Sequence, residues 1–90
     1  MLDVVLSNQF KKDLKLAQKR GYDLALLNMV VDTLANCEPL VEKYRDHNLT
    51  GKYAGFRECH IQPDWLLVYR ADETELILFL SRTGTHSDFF

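Results

Sequence analysis

Three histidines lie in the C-terminal half of this 90-residue chain, and each falls in a short polar break between apolar segments. Asp64 and Arg82 lie in the same breaks. The chemistry-bearing residues of these breaks are His47, His60, Asp64, Arg82 and His86. Histidine exchanges protons near neutral pH, and an arginine stabilises negative charge on phosphoryl oxygens. The set predicts proton transfer beside an anionic substrate, which is the chemistry of RNA cleavage.

RNA cleavage by 2′-hydroxyl attack needs a base, an acid for the leaving 5′-oxygen, and a donor beside the phosphate. The five residues contain candidates for each role, and the sequence does not assign the individual histidines. Two other interpretations stay open. The residues could be ordinary polar side chains of surface loops, with Asp64 the turn residue after Pro63. They could also bind a metal ion, although their spacing matches neither a helical zinc motif nor a zinc finger.

Aromatic side chains beside these breaks could stack on RNA bases, as exposed aromatics do in single-strand recognition. Trp65, next to Asp64, fits either a stacking role or a core position. Phe56 and Tyr69 lie in predicted strands, where an aromatic ring more often fills the core. The C-terminal pair at positions 89 and 90 could simply pack on the edge of the sheet.

The net charge of −2, from 11 basic and 13 acidic residues, is not typical of a protein held on nucleic acid by bulk charge. The charge is uneven, however, because residues 9–20 and 43–57 are rich in lysine and arginine. We expect these two basic segments to form a docking face. Within the second segment, Lys52 and Arg57 are predicted to bind substrate.

The cysteines and the N-terminus bear on the cellular compartment. Cys37 and Cys59 are isolated, so no disulfide framework is indicated. The N-terminus lacks a signal-peptide pattern, and no apolar run approaches the length of a membrane span. The chain is 47% apolar, enough for one modest core. These features predict a single cytoplasmic domain over residues 1–90.

The apolar pattern predicts the element order β-α-α-β-β-β. Residues 2–6 predict a strand, and Ser7 and Asp23 are placed to cap two helices that form a hairpin. Three further strands are predicted around residues 53–61, 65–70 and 75–80. The predicted fold is α+β, an antiparallel sheet with the N-terminal helical hairpin packed on one face. This order places the histidines near strand ends, and whether they converge depends on a strand order that the sequence does not give.

Four segments, read in order, resemble the YafQ branch of the RelE superfamily, the toxins of bacterial type II toxin–antitoxin pairs. They are KLAQKR at residues 15–20, YRDHNLTG at 44–51, GFRECHIQPDWLLVY at 55–69 and RTGTH at 82–86. The similarity extends over essentially the whole chain, including its length and element order. The segments H-x-x-P-D-W and R-T-G-T-H, occurring together at this spacing, are its most specific part.

The resemblance implies a RelE-like fold and a ribosome-dependent endoribonuclease that cuts mRNA in the decoding site. It implies attack by the 2′-hydroxyl, without a metal or other cofactor, leaving a 2′,3′-cyclic phosphate and a 5′-hydroxyl. The positions that match the family's acid–base set are His47, His60, Asp64 and His86, and we expect His86 to be the general acid. Arg82 matches the phosphate-stabilising arginine. Trp65 and Phe90 match aromatics associated with the site.

The resemblance also implies three partners, namely a cognate antitoxin, the 70S ribosome and mRNA, and it implies no membrane. One departure is the slightly acidic net charge, since toxins of this superfamily are usually basic. Two alternatives are a same-fold toxin without nuclease activity, like the ParE branch that acts on DNA gyrase, and an inactive module that only binds antitoxin. The ParE branch lacks this acid–base set, and the intact positions argue against loss of catalysis.

Overall fold

The computed structural model describes residues 1–89, which form a five-stranded sheet and three α-helices. The strands are β1 (Asp3–Leu6), β2 (His47–Asn48), β3 (Arg57–Gln62), β4 (Trp65–Asp72) and β5 (Ile77–Gly84). The helices are α1 (Asn8–Lys19), α2 (Leu24–Ala35) and the short α3 (His86–Phe89), with 3₁₀ turns at Glu42–Tyr44 and Gly51–Tyr53. Among the described residues, no helix is long and apolar enough to cross a membrane.

The strand order across the sheet is β1-β5-β4-β3-β2. The predicted α+β class and the order of its main elements are confirmed. The sheet is mixed, because β1 pairs with β5 in parallel while the other pairs are antiparallel. A tight turn forces two strands to run antiparallel. No such turn joins β1 to β5, so the direction of β1 was not readable from the sequence.

Helices α1 and α2 begin at the predicted N-caps. The Ser7 hydroxyl accepts the Phe10 N–H at 2.8 Å and donates to the Ser81 carbonyl at 2.7 Å. This residue therefore starts α1 and also attaches it to β5. The Asp23 carboxylate accepts the Ala25 N–H at the start of α2. Such caps satisfy amide groups that a helix leaves unpaired at its first turn.

The core lies between the helical hairpin and one face of the sheet. Successive strand residues point to opposite faces, so alternate residues of β3, β4 and β5 face the helices. The buried core residues from the sheet are Cys59, Ile61, Trp65, Leu67, Tyr69, Leu78 and Leu80. The helices contribute Phe10, Ala17, Leu27, Val30 and Leu34 to the same cluster. The predicted core position of Tyr69 is confirmed.

The other face of the sheet, here called the open face, carries polar side chains from β3. Residues paired across strands point to the same face. Glu58 pairs with Val68 and His60 pairs with Leu66, so all four side chains belong to the open face. His47 of β2 stands opposite Glu58 and joins them. The alternation that buries the core therefore displays the candidate site residues.

Truncation of a core side chain tests this packing. Leu67 is fully buried, and we expect Leu67→Ala to lower the free energy of unfolding by about 2–5 kcal/mol because it leaves a cavity. Leu16→Ala is the matched control, since Leu16 on α1 is 42% exposed. Urea denaturation followed by circular dichroism measures both. Equal losses in the two variants would contradict the assigned core.

Candidate active site

The three imidazoles form a row across the open face. The ring centroids of His47 and His60 are 6.4 Å apart, and those of His60 and His86 are 5.7 Å apart. The sheet register explains the row, because Leu66 pairs with His60 on one side and with Gly84, two residues before His86, on the other. His47, whose distance from the other two the sequence left open, reaches them because β2 lies beside β3.

Main-chain carbonyls fix the tautomers of two of these rings. The Nδ1 atom of His47 lies 2.6 Å from the Arg45 carbonyl oxygen, and that of His60 lies 3.2 Å from the Pro63 carbonyl oxygen. A carbonyl oxygen can only accept, so Nδ1 carries the proton in both rings. The Nε2 atoms are therefore the ring nitrogens that these main-chain contacts leave available.

Asp64 and His86 form the exposed end of the row. One Asp64 carboxylate oxygen lies 2.7 Å from His86 Nδ1 and 3.1 Å from its backbone nitrogen. The side-chain bond from His86, followed by the backbone bond, holds the pKa of Asp64 below its ordinary value. The ionised carboxylate accepts a hydrogen bond from Nδ1–H, and Nε2 faces outward. Both side chains are more than half exposed, so a substrate can reach them.

Glu58 is a site residue that the sequence reasoning missed. Its side chain is 6% exposed, and Oε1 lies 3.5 Å from His47 Nε2 and 3.9 Å from His60 Nε2. The second oxygen, Oε2, is buried without a hydrogen-bond partner among the described residues. The available signal was the spacing of Glu58 and His60, because residues two apart on a strand share a face.

Arg82 belongs to the open face of the sheet, and its side chain is held by helix α1. It pairs with Val68, which pairs in turn with Glu58, so Arg82 and Glu58 are separated by two strand spacings, about 10 Å. Its Nε and Nη2 atoms each lie 3.1 Å from the carboxylate of Asp13 on α1. The hydrogen bonds to Asp13 raise the pKa of Arg82. The guanidinium carbon lies 4.9 Å from the centre of the Phe89 ring.

Trp65 corrects one prediction. It is 1% exposed, packs against Tyr22 with ring centroids 4.8 Å apart, and donates its indole N–H to the Thr83 hydroxyl at 2.9 Å. Stacking of an RNA base on Trp65 is incompatible with this position, because the ring faces the helices within the core. The core interpretation is the correct one. Its indole hydrogen bond attaches β4 to β5 at Thr83, the residue next to Arg82.

Two of the other predicted substrate-binding residues, Lys52 and Arg57, belong to the second basic segment. The Arg57 guanidinium pairs with Asp46 at 3.1 Å and donates to the Asn48 side chain at 2.6 Å, and the bond to Asp46 raises the pKa of Arg57. Lys52 is exposed, with its ammonium 5.5 Å from the centre of the Tyr53 ring. Phe90 lies outside the described residues.

A basic cleft adjoins the histidines. It has a volume of about 660 Å³, within the usual range of small-ligand sites, and His60 and His86 form part of its wall. Lys43 and Arg45 also line it, and both are exposed. The second basic segment thus reaches the candidate site. Within residues 1–89, no group of three histidine, cysteine, aspartate or glutamate side chains is placed to bind a metal ion.

An ion pair made by Arg20, the residue that follows α1, fixes the short helix α3, which carries His86. Arg20 makes two hydrogen bonds, of 2.9 and 3.2 Å, to the Asp88 carboxylate, which also accepts the Thr85 N–H at 2.8 Å. The Arg20 bond is the main cause of an Asp88 pKa far below the ordinary aspartate value. Gly84 permits this approach, since a Cβ there would lie 2.6 Å from the Asp88 carboxylate. Arg20, the last residue of the first basic segment, therefore lies beside the helix that carries His86.

Comparisons with known proteins identify the family of this chain. Residues 2–90 match the model of a family described as the bacterial toxin of a type II toxin–antitoxin system, YafQ. The mRNA interferase toxin YafQ of Escherichia coli K12 is 43% identical over 89 residues, which cover 98% of this chain and 95% of that protein.

Two solved structures are similar over nearly the whole of both chains. A crystal structure of a metal-bound toxin from Helicobacter pylori has a TM-score of 0.94 and 51% identity, and covers 100% of each chain. YafQ in the E. coli DinJ–YafQ toxin–antitoxin complex has a TM-score of 0.88 and 41% identity, over 99% of this chain and 97% of that one.

The depressed pKa of Asp88 predicts a pH-dependent contribution to stability. The ionised carboxylate stabilises the folded state above the ordinary aspartate pKa of about 3.9, and this contribution is lost as the pH falls through the lower folded-state value. We expect the difference in unfolding free energy between the wild type and Asp88→Asn to be constant from about pH 7 to pH 5 and to shrink below about pH 4. Urea titrations across this range measure it, with Asp3→Asn as the charge control. A difference unchanged at the lowest pH would refute the assigned ion pair.

Proposed function

Because the chain belongs to the YafQ family of bacterial toxins from type II toxin–antitoxin systems, we propose that it is an endoribonuclease that cleaves mRNA on the ribosome and so inhibits translation. The observation that carries the proposal is the row of His47, His60 and His86 with Asp64 bonded to its exposed end. This arrangement places a proton acceptor and a proton donor side by side, since the ring centroids of His60 and His86 are 5.7 Å apart.

His86 is the proposed general acid. In its protonated form, Nε2–H donates to the 5′-oxygen as the bond from phosphorus to that oxygen breaks. Asp64 supports this role because it holds Nδ1–H at 2.7 Å and accepts the backbone N–H at 3.1 Å. The ring therefore has one fixed orientation, with its reactive nitrogen toward the solvent where mRNA arrives.

His60 is the proposed general base, and His47 and Glu58 support it. The neutral Nε2 of His60 takes the 2′-hydroxyl proton while the 2′-oxygen forms its bond to phosphorus. The Glu58 carboxylate, 3.9 Å from this nitrogen, stabilises the imidazolium that results. His47 lies on the other side of Glu58, at 3.5 Å, and can share the proton. The products are a 2′,3′-cyclic phosphate and a 5′-hydroxyl.

The positive side chains around the row bind the RNA backbone in this proposal. Arg82 donates to the non-bridging oxygens of the scissile phosphate, while Lys43 and Arg45 on the cleft wall contact neighbouring phosphates. Lys52 belongs to the same basic segment, whereas Arg57 pairs with the core residue Tyr69 and so lies on the face of β3 opposite His60. Each phosphate contact adds salt-dependent affinity, so a local basic surface can act despite the net charge of −2.

The proposed partners are the 70S ribosome with its mRNA and a cognate antitoxin, and the proposed location is the cytoplasm. The antitoxin is supported by the complex that E. coli YafQ forms with DinJ. A ribosome-dependent nuclease must also be silenced in the cell that makes it. A largely disordered partner can cover much of a domain of this size.

Substitution of single site residues tests the mechanism. We expect His86→Ala, His60→Ala and Asp64→Ala each to slow cleavage by roughly 10²- to 10⁴-fold, the usual loss for an acid–base group. Single-turnover cleavage of mRNA on programmed ribosomes provides the measurement, and unfolding curves check that each variant is folded. Asn36→Ala, at the end of α2, is the control and should cleave as the wild type does. Full activity in all three site variants would refute the mechanism.

The same assay separates the alternatives. Equal cleavage of free and ribosome-bound mRNA would refute ribosome dependence. A chain that cleaves neither but blocks supercoiling by DNA gyrase would be a ParE-like toxin, and one that does neither but binds its antitoxin would be an inactive module. Either outcome would overturn the proposed activity.

The chemistry of the cut ends is a separate prediction. Attack by the 2′-hydroxyl leaves a cyclic phosphate on the upstream fragment, whereas attack by water activated at another site could leave a 5′-phosphate downstream. Mass spectrometry of the fragments of a short mRNA distinguishes them. We expect a cyclic phosphate, or its hydrolysed monophosphate, together with a 5′-hydroxyl. A 5′-phosphate would rule out the proposed route.

A further inference from the structure

We propose that Asp13 is a positioning residue for Arg82, fixing the guanidinium so that it presents Nη1 to the scissile phosphate. This inference rests on the proposed function, in which Arg82 stabilises charge on that phosphate. Asp13 lies on α1, which supplies no other proposed site residue. Its position is 69 residues before Arg82 in the chain, so the contact exists only in the folded protein.

Asp13 occupies a place where an apolar residue would be expected. It is 8% exposed and lies on the buried stripe of α1 between Phe10 and Ala17. A buried carboxylate is costly unless charge and hydrogen bonds compensate it. Its two oxygens accept hydrogen bonds from Gln9 at 3.0 Å, from the Thr83 backbone at 3.2 Å and twice from Arg82 at 3.1 Å. The carboxylate is therefore part of a built polar contact rather than of the apolar core.

The geometry of this contact restrains the guanidinium in two directions. Asp13 engages the edge formed by Nε and Nη2, which sets the rotation of the guanidinium plane. The Phe89 ring, 4.9 Å from the guanidinium carbon, lies against its face. Asp13 leaves Nη1 unused. The Tyr53 side chain is a further neighbour of the guanidinium, since it also raises the pKa of Arg82. Donors held in place before the reaction need no reorganisation as charge develops, which is where electrostatic catalysis gains most.

The position of α1 explains why Asp13 can reach Arg82 at all. Strand β1 pairs with β5 only as far as Leu80, so in the described part of the chain this edge of β5 has no neighbouring strand from residue 81 onward. The helix crosses this edge and supplies Asp13 to the Thr83 N–H. If Asp13 had only a structural role, its hydrogen bond with the Thr83 N–H would be enough to close that edge. The side-on pairing to Arg82 is the additional contact that a positioning role requires.

A double-mutant cycle separates the two roles. We expect Asp13→Asn to slow single-turnover mRNA cleavage roughly 10- to 100-fold, because a small misplacement of a catalytic group is costly. The apparent affinity for programmed ribosomes should change less than about twofold, since the contact acts in the transition state. Arg82→Ala should lose more, and adding Asp13→Asn to Arg82→Ala should cause no further loss. Asp32→Asn, an exposed carboxylate on α2, is the matched control.

Each outcome has a distinct meaning. If Asp13→Asn reduces the rate by the same factor with and without Arg82, Asp13 acts structurally and the proposal is wrong. If Arg82→Ala alone keeps wild-type activity, the proposed function of Arg82 fails first, and the positioning role fails with it. Should Asp13→Asn not fold, Asp13→Glu keeps the charge and shifts the carboxylate. The same cycle applies to it, and an equal loss in the Arg82→Ala background again overturns the proposal.

Discussion

Side-chain alternation along β3 is the constraint on which the core and the candidate site both depend. Cys59 and Ile61 face the helices, while Glu58 and His60 face the open side. A slip of one residue in the β3–β4 register would exchange the two sets, burying an imidazole and exposing the core. The thiol of Cys59 shows the separation, because burial raises its pKa to about 12. Only the side chains on the open face remain available for proton transfer.

The local parts of the fold were predictable from the sequence, and the long-range parts were not. Ser7 and Asp23 mark the helix starts through chemistry confined to one turn, and the apolar runs mark the strands. The pairing of Asp64 with His86 joins residues 22 apart, which no periodicity reports. Glu58 was missed because a glutamate in a strand usually indicates an exposed position, and its burial depends on β2 and β4 lying on either side. Trp65 was ambiguous because a tryptophan next to a turn fits both the core and an exposed surface.

The two ends of the imidazole row differ in environment, which suits two opposite tasks. Asp64 and His86 are exposed and make a short hydrogen bond with each other at the exposed end of the row. Glu58 is buried and lies between His47 and His60, and its second oxygen has no hydrogen-bond partner within residues 1–89. A carboxylate beside an imidazole thus occurs twice, once exposed to solvent and once buried. Environments that differ in this way are how proteins separate acids from bases at a single pH.

The carbonyls of Arg45 and Pro63, which receive Nδ1–H from His47 and His60, have a consequence for how this surface can change. Arg45 turns its carbonyl toward the ring from a left-handed backbone conformation, with φ of 49°. Both acceptors belong to the main chain, which every amino acid supplies. The path of the backbone thus determines which ring nitrogen is the reactive one. Substitutions that preserve that path leave the same ring nitrogens available for proton transfer.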